Sequence, residues 1–94
     1  MEAKIWNHNQ WIPETEPSVL IENFGIILRD AGFTVLHHHK HHFDPQGFTA
    51  LWLLGESHLA VHTFPEHGTT YIQLSSCNVL MYMQFLKALD NYAY

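Results

Sequence analysis

Apolar and polar positions change their period several times along the chain. Lys4 to Ile12 reads as a first extended stretch, and Pro13 to Pro17 breaks it. Beyond it Leu20, Phe24, Ile27, Leu28 and Ala31 recur at helical spacing on one face, with Ser18 as the expected cap and Gly32 as the stop. Phe33 to His42 begins with β-formers and closes at Asp44-Pro45-Gln46-Gly47, which predicts a strand followed by a turn. Phe48 to Leu54, Leu59 to Phe64 and Thr69 to Ser75 are three further short runs, separated by Gly55-Glu56 and by Pro65-Glu66-His67-Gly68, as antiparallel neighbours would be. From Val79 the pattern turns helical again, with Leu80, Met83, Leu86 and Leu89 apolar and Phe85 less regularly placed. This order predicts an α+β fold, a two-layer α/β sandwich with a mainly antiparallel sheet and two helices on one face. The other face is left for solvent or for a partner.

Length and charge narrow the function. The 94 residues, 47% of them hydrophobic, fit a single domain over 1–94. A chain of this size buries only about two-thirds of its unfolded surface, so association would add stability. Four Lys plus Arg against nine Asp plus Glu give a net charge of −5, without the basic footprint of a nucleic-acid binder. Charging all nine histidines would carry the charge from −5 to +4, so behaviour is expected to change near their titration range. The longest apolar runs, Ala50 to Leu54 and Val79 to Met83, are too short for a bilayer, and Met1 to Trp6 contains no signal-like stretch. The single cysteine, Cys77, excludes an intrachain disulfide and suits a reducing, cytoplasmic setting.

The run His37-His38-His39-Lys40-His41-His42 invites a metal reading, since neutral imidazole is a common ligand. In a strand, however, alternation leaves no more than about three of these on one side, and no Cys or carboxylate follows at ligand spacing. No metal site is expected. Taken singly, Cys77 reads as a small buried hydrophobe, His62 as a satisfied histidine and Glu56-Ser57 as a common dipeptide.

Together these residues carry more. Gly55-Glu56-Ser57-His58-Leu59-Ala60-Val61-His62-Thr63-Phe64-Pro65-Glu66-His67-Gly68, followed by Ser75-Ser76-Cys77, closely resembles the bacterial-type S-adenosylmethionine decarboxylase proenzymes. Their pattern is Glu-Ser-His-Leu, a small or β-branched pair, His-Thr, an aromatic, Pro-Glu, and a Cys twenty residues after the Ser. Here Ser57 and His62 are five apart and Ser57 and Cys77 twenty. The likeness extends upstream through Ala31 to Leu36 and His41 to Thr49, and covers roughly half the chain, the rest matching in element order. This sequence departs in carrying Phe64 where the family usually has Trp, and Asn78 where it has glycine. The family's basic Gly-Arg/Lys-His element is not visible near the N-terminus.

The resemblance implies a self-made cofactor. In the family the Ser hydroxyl attacks the carbonyl of the preceding Glu, an ester forms, and β-elimination leaves a pyruvoyl group. Here Ser57 would attack Glu56, giving fragments 1–56 and 57–94, with Gly55 supplying flexibility, His62 the base and Thr49 a processing hydroxyl. The pyruvoyl carbonyl would form a Schiff base with S-adenosylmethionine and accept its electrons on decarboxylation, yielding the aminopropyl donor for spermidine. Cys77 would return a proton, while Phe43, Phe64 and Glu66 would bind substrate, Phe43 on the adenine and Glu66 on the ribose hydroxyls. Independently of the family, Ser57 and His62 in one straight strand would lie about 16 Å apart on opposite faces, at roughly 3.3 Å per residue. A two-fold homodimer would bring His62 of one protomer to Ser57 of the other, and the resemblance implies such shared sites. Two alternatives stay open: a pyruvoyl decarboxylase of a plain amino acid such as ornithine or arginine, and a non-cleaving relative that binds or regulates.

Overall fold

The computed structural model describes residues 4–94, so the reading of the N-terminus at Met1 to Ala3 lies outside the described residues. Five strands form one sheet: β1 (Trp6–Ile12), β2 (Val35–His42), β3 (Phe48–Leu54), β4 (Ser57–Phe64) and β5 (Thr69–Ser76). Helix α1 (Pro17–Ala31) follows β1, and α2 (Val79–Asn91) follows β5. The spatial order is β1-β5-β4-β3-β2, antiparallel at every pairing. The first strand thus lies beside the last, and β4 runs in the middle.

Both helices cover the same face. Leu20, Phe24, Ile27, Leu28 and Ala31 of α1 are all buried, as their spacing predicts. They pack with Phe85 and Leu89 of α2 onto the inward residues of the sheet, among them Phe48, Trp52, Leu59, Val61, Ile72 and Leu74. Phe24 sits at the centre, with ring centroids 6.4 Å from Trp52, 6.3 Å from Phe85 and 6.0 Å from Tyr94.

Several local expectations change. Pro17 takes the first turn of α1, where its missing N–H costs nothing, so the cap moves back from Ser18 to Glu16, whose Oε1 accepts from the Ser18 hydroxyl at 3.2 Å. Strand β4 begins at Ser57 rather than Leu59, because Gly55-Glu56 alone make the turn and pairing starts at once with Leu54. Strands β1 and β2 start two residues later than their β-forming runs. On α2, Leu80 and Met83 are exposed: the buried stripe runs through Phe85 and Leu89, and the helix turns those two away from it. Gly32 ends α1 in the left-handed region (φ 94), as expected.

The opposite face of the sheet carries no helix. On it lie Trp11, Leu51, Leu53 and Phe64, between 38% and 56% exposed. A register shift between Val35 and His37 puts His37, His39 and His41 on this bare face, opposite Leu53, Leu51 and Thr49. His38, Lys40 and His42 point the other way, with His38 stacked 4.4 Å from Trp52. Among the described residues no group of three or more metal-binding side chains comes together, and no helix is long and apolar enough to cross a membrane.

Candidate functional site

The sequence-predicted residues divide into two groups at opposite ends of β4. The first gathers around a pocket of about 290 Å³ lined by Phe43, Thr49, His62, Phe64 and Glu66. Phe43 precedes the turn that delivers β3, and its N–H donates to the Gly47 carbonyl at 2.8 Å. Thr49 and His62 are partners in the β3–β4 register, and Thr49 Oγ1 stands 2.9 Å from His62 Nδ1. Burial lowers the His62 pKa from its ordinary 6.5, which favours the neutral ring. Glu66 lies in the 3-10 turn Pro65–His67, closed by Gly68 at φ 66. Phe64 packs 5.7 Å from Trp11, which lies 4.8 Å from Tyr71, so three neighbouring strands contribute one aromatic cluster on the bare face.

The second group surrounds the Glu56–Ser57 bond. Gly55 donates its N–H to Thr34 O at 3.0 Å, pinning the turn to the start of β2. The unusual backbone sits at Glu56 (φ 57), not at Gly55: a residue with a Cβ occupies the left-handed region immediately before the nucleophile. Ser57 is only 7% exposed and belongs to the helix-covered face. Its hydroxyl donates to Ser76 Oγ at 3.1 Å, across the β4–β5 ladder. Cys77, the next residue, is exposed rather than buried, because β5 has ended and the chain is turning into α2. Asn78 adopts extended angles (φ −119, ψ 109) that require no glycine, and its Oδ1 caps α2 by accepting from Met81 N at 3.0 Å.

The two groups do not meet within one chain. Ser57 and His62 share β4 with an odd separation, Ser57 on the covered face and His62 on the bare one. Sequence reasoning missed Ser76, whose only signal is its place opposite Ser57, and that exists only once β4 and β5 pair.

A family model described as S-adenosylmethionine decarboxylase matches residues 15–92. Among curated proteins, the S-adenosylmethionine decarboxylase proenzyme of Prochlorococcus marinus (strain MIT 9313) is 49% identical over 47 residues, 50% of this chain and 38% of that protein. The proenzyme of Persephonella marina (strain DSM 14350 / EX-H1) is 47% identical over 50 residues, 53% of this chain and 38% of that protein. The matched stretch therefore spans under two-fifths of these relatives. The crystal structure of the adenosylmethionine decarboxylase from Aquifex aeolicus VF5 superposes with a TM-score of 0.66 at 21% identity, covering 92% of this chain and 78% of that one, a likeness of fold.

Proposed function

The chain belongs to the S-adenosylmethionine decarboxylase family, and on that premise we propose that it cleaves itself between Glu56 and Ser57 and then decarboxylates S-adenosylmethionine. The observation that carries this reading is the placement of the Glu56–Ser57 bond. It joins a left-handed Glu56 to a buried, hydrogen-bonded Ser57 in the turn between β3 and β4. Scission there would yield fragments 1–56 and 57–94 that remain interleaved, because β4 and β5 of the second lie between β1 and β3 of the first. A new N-terminus at position 57 stays registered between Leu54 and Ser76. These surroundings fit a pyruvoyl group made from Ser57, which supplies an electron-withdrawing carbonyl for decarboxylation.

The chain's own residues do the rest. His62, held neutral by burial and oriented by Thr49, removes the Ser57 α-proton from the ester. Phe43 and Phe64 hold the adenine by stacking, and Glu66 accepts hydrogen bonds from the ribose hydroxyls. Cys77 Sγ, exposed beside Ser76, donates the proton that the substrate carbon takes up after carbon dioxide leaves.

The working unit is a homodimer with two shared sites. The separation of the two groups along β4 supports this, as does the apolar, uncovered face bearing Trp11, Leu51, Leu53 and Phe64. A two-fold axis between two such faces, running across the strands, reverses strand direction and lays the Ser57 end of one β4 over the His62 end of the other. Ser57 is the first residue of its strand, so its backbone lies at the rim of the sheet, reachable from that side.

Intact mass measurement tests the first step: wild type gives fragments 1–56 and 57–94, and Ser57→Ala stays whole. Carbon dioxide release from S-adenosylmethionine, ornithine and arginine, assayed side by side on cleaved protein, tests the second. An intact wild type after prolonged incubation sinks the enzyme reading, and release from a plain amino acid alone overturns the substrate.

A further inference from the structure

We propose that Ser76 is a positioning residue for self-cleavage, an acceptor that takes the Ser57 hydroxyl proton in a hydrogen bond and leaves the Oγ lone pairs for the Glu56 carbonyl carbon. The inference rests on the self-cleavage reading above and deepens it. Ser76 is fully buried, and its Oγ makes three bonds. It donates to Asn78 O at 3.1 Å, accepts from Asn78 N at 3.0 Å, and accepts from Ser57 Oγ at 3.1 Å. A serine hydroxyl has a single proton, and that of Ser76 is committed to Asn78. Toward Ser57 it can only accept, so Ser57 must donate.

That constraint matters because Ser57 is itself buried, where little water competes to turn its hydroxyl elsewhere. With the proton aimed at β5, the lone pairs are left on the remaining sides of the oxygen. Ser76 is held in turn by Asn78, whose side chain caps α2 through Met81 N. The nucleophile is thus tied through Ser76 and Asn78 to the start of a helix, and does not depend on the turn alone. In the step so prepared, Ser57 Oγ bonds to the Glu56 carbonyl carbon and the Glu56–Ser57 C–N bond breaks. The hydroxyl proton ends on the freed Ser57 nitrogen. Ser76 keeps its own proton throughout, and nothing is oxidised or reduced.

The test is cell-free synthesis of the full chain, with precursor and fragments followed by intact mass over time. Ser76→Ala is expected to slow cleavage about ten-fold or more, the scale of one lost orienting hydrogen bond. Ser76→Thr, which keeps the acceptor, is expected to cleave within about three-fold of wild type on the same scale. Hydroxylamine, which cuts esters, is expected to leave the stalled Ser76→Ala precursor whole, because the block precedes ester formation. If Ser76→Ala does not fold, as judged by its melting transition, Ser76→Cys carries the same comparison with a poor acceptor of similar size. Cleavage of folded Ser76→Ala or Ser76→Cys at the wild-type rate overturns the proposal. So does a Ser76→Thr as slow as Ser76→Ala, or hydroxylamine scission of the stalled precursor between Glu56 and Ser57. A wild type that never cuts refutes the self-cleavage reading together with this one, whereas wild-type cutting matched by Ser76→Ala refutes only the role of Ser76.

Discussion

Thr49 Oγ1 and His62 Nδ1 stand 2.9 Å apart across the β3–β4 ladder, on the face of the sheet that no helix covers. When Nδ1 carries the proton and donates to Oγ1, Nε2 keeps the lone pair that a base needs. Burial lowers the His62 pKa from 6.5, so the ring is neutral through the neutral range. A ring-proton NMR titration of Ser57→Ala, which stays uncut, is expected to give His62 a midpoint below 6.5. Thr49→Val is expected to slow cleavage, and Thr49→Ser to preserve it. A midpoint at or above 6.5 would contradict this account.

Acid is expected to destabilise the fold through two histidines. His38 has a lowered pKa from burial first and from the charges of Lys40 and His39 after it, and His62 from burial alone. Because each binds its proton less readily folded than unfolded, their contribution is fully present above 6.5. It is lost as pH falls through the lowered folded values. On the uncut Ser57→Ala background, urea midpoints are expected to fall as pH drops below 6.5, and to fall less when His38→Gln and His62→Gln are added. Equal slopes for the two proteins would refute the assignment.

As homodimers, Ser57→Ala is expected to stay whole and His62→Ala to process poorly. In mixed dimers one site retains both an intact Ser57 and a partner's His62, so cutting is expected only in the His62→Ala chain. Mixed dimers in which neither chain is cut would refute the shared site.

Glu66→Gln removes the carboxylate from the pocket lined by Phe43 and His62 but leaves the Glu56–Ser57 turn untouched. Cleavage is expected at the wild-type rate. The KM for S-adenosylmethionine is expected to rise about 10- to 100-fold, the scale of losing a charge-assisted hydrogen bond of about 1.5–3 kcal/mol. An unchanged KM would leave Glu66 a solvated turn residue.

Phe24 is fully buried among Trp52, Phe85 and Tyr94. Phe24→Ala is expected to cost about 3–5 kcal/mol, combining lost transfer energy with the cavity left behind. Denaturant unfolding reads it, on the Ser57→Ala background to keep the chain whole. A loss below about 1 kcal/mol would mean that the core collapses around the gap.

The sequence by itself determined whatever depends on neighbours along the chain. The buried stripe of α1 was legible because a helix repeats its face every 3.6 residues, and Gly32 ended it because a helix closes readily on a left-handed residue, a conformation glycine takes without strain. The opposite faces of Ser57 and His62 followed from strand parity alone, and the Glu-Ser-His-Leu spacing identified the family. Tertiary structure decided the rest. Pro17 moved the cap to Glu16, Leu80 and Met83 were left outside because Phe85 and Leu89 took the core-facing side, and the turn put its left-handed residue at Glu56 rather than Gly55. Pairing β4 with β5 set Ser76 against Ser57, and pairing β3 with β4 helped gather Phe43, Thr49, His62 and Glu66 into one pocket. Periodicity is local, imposed by the backbone on consecutive residues. Which strand lies beside which, and in what register, is settled by competition among all the apolar faces for one core, and no single segment carries that information.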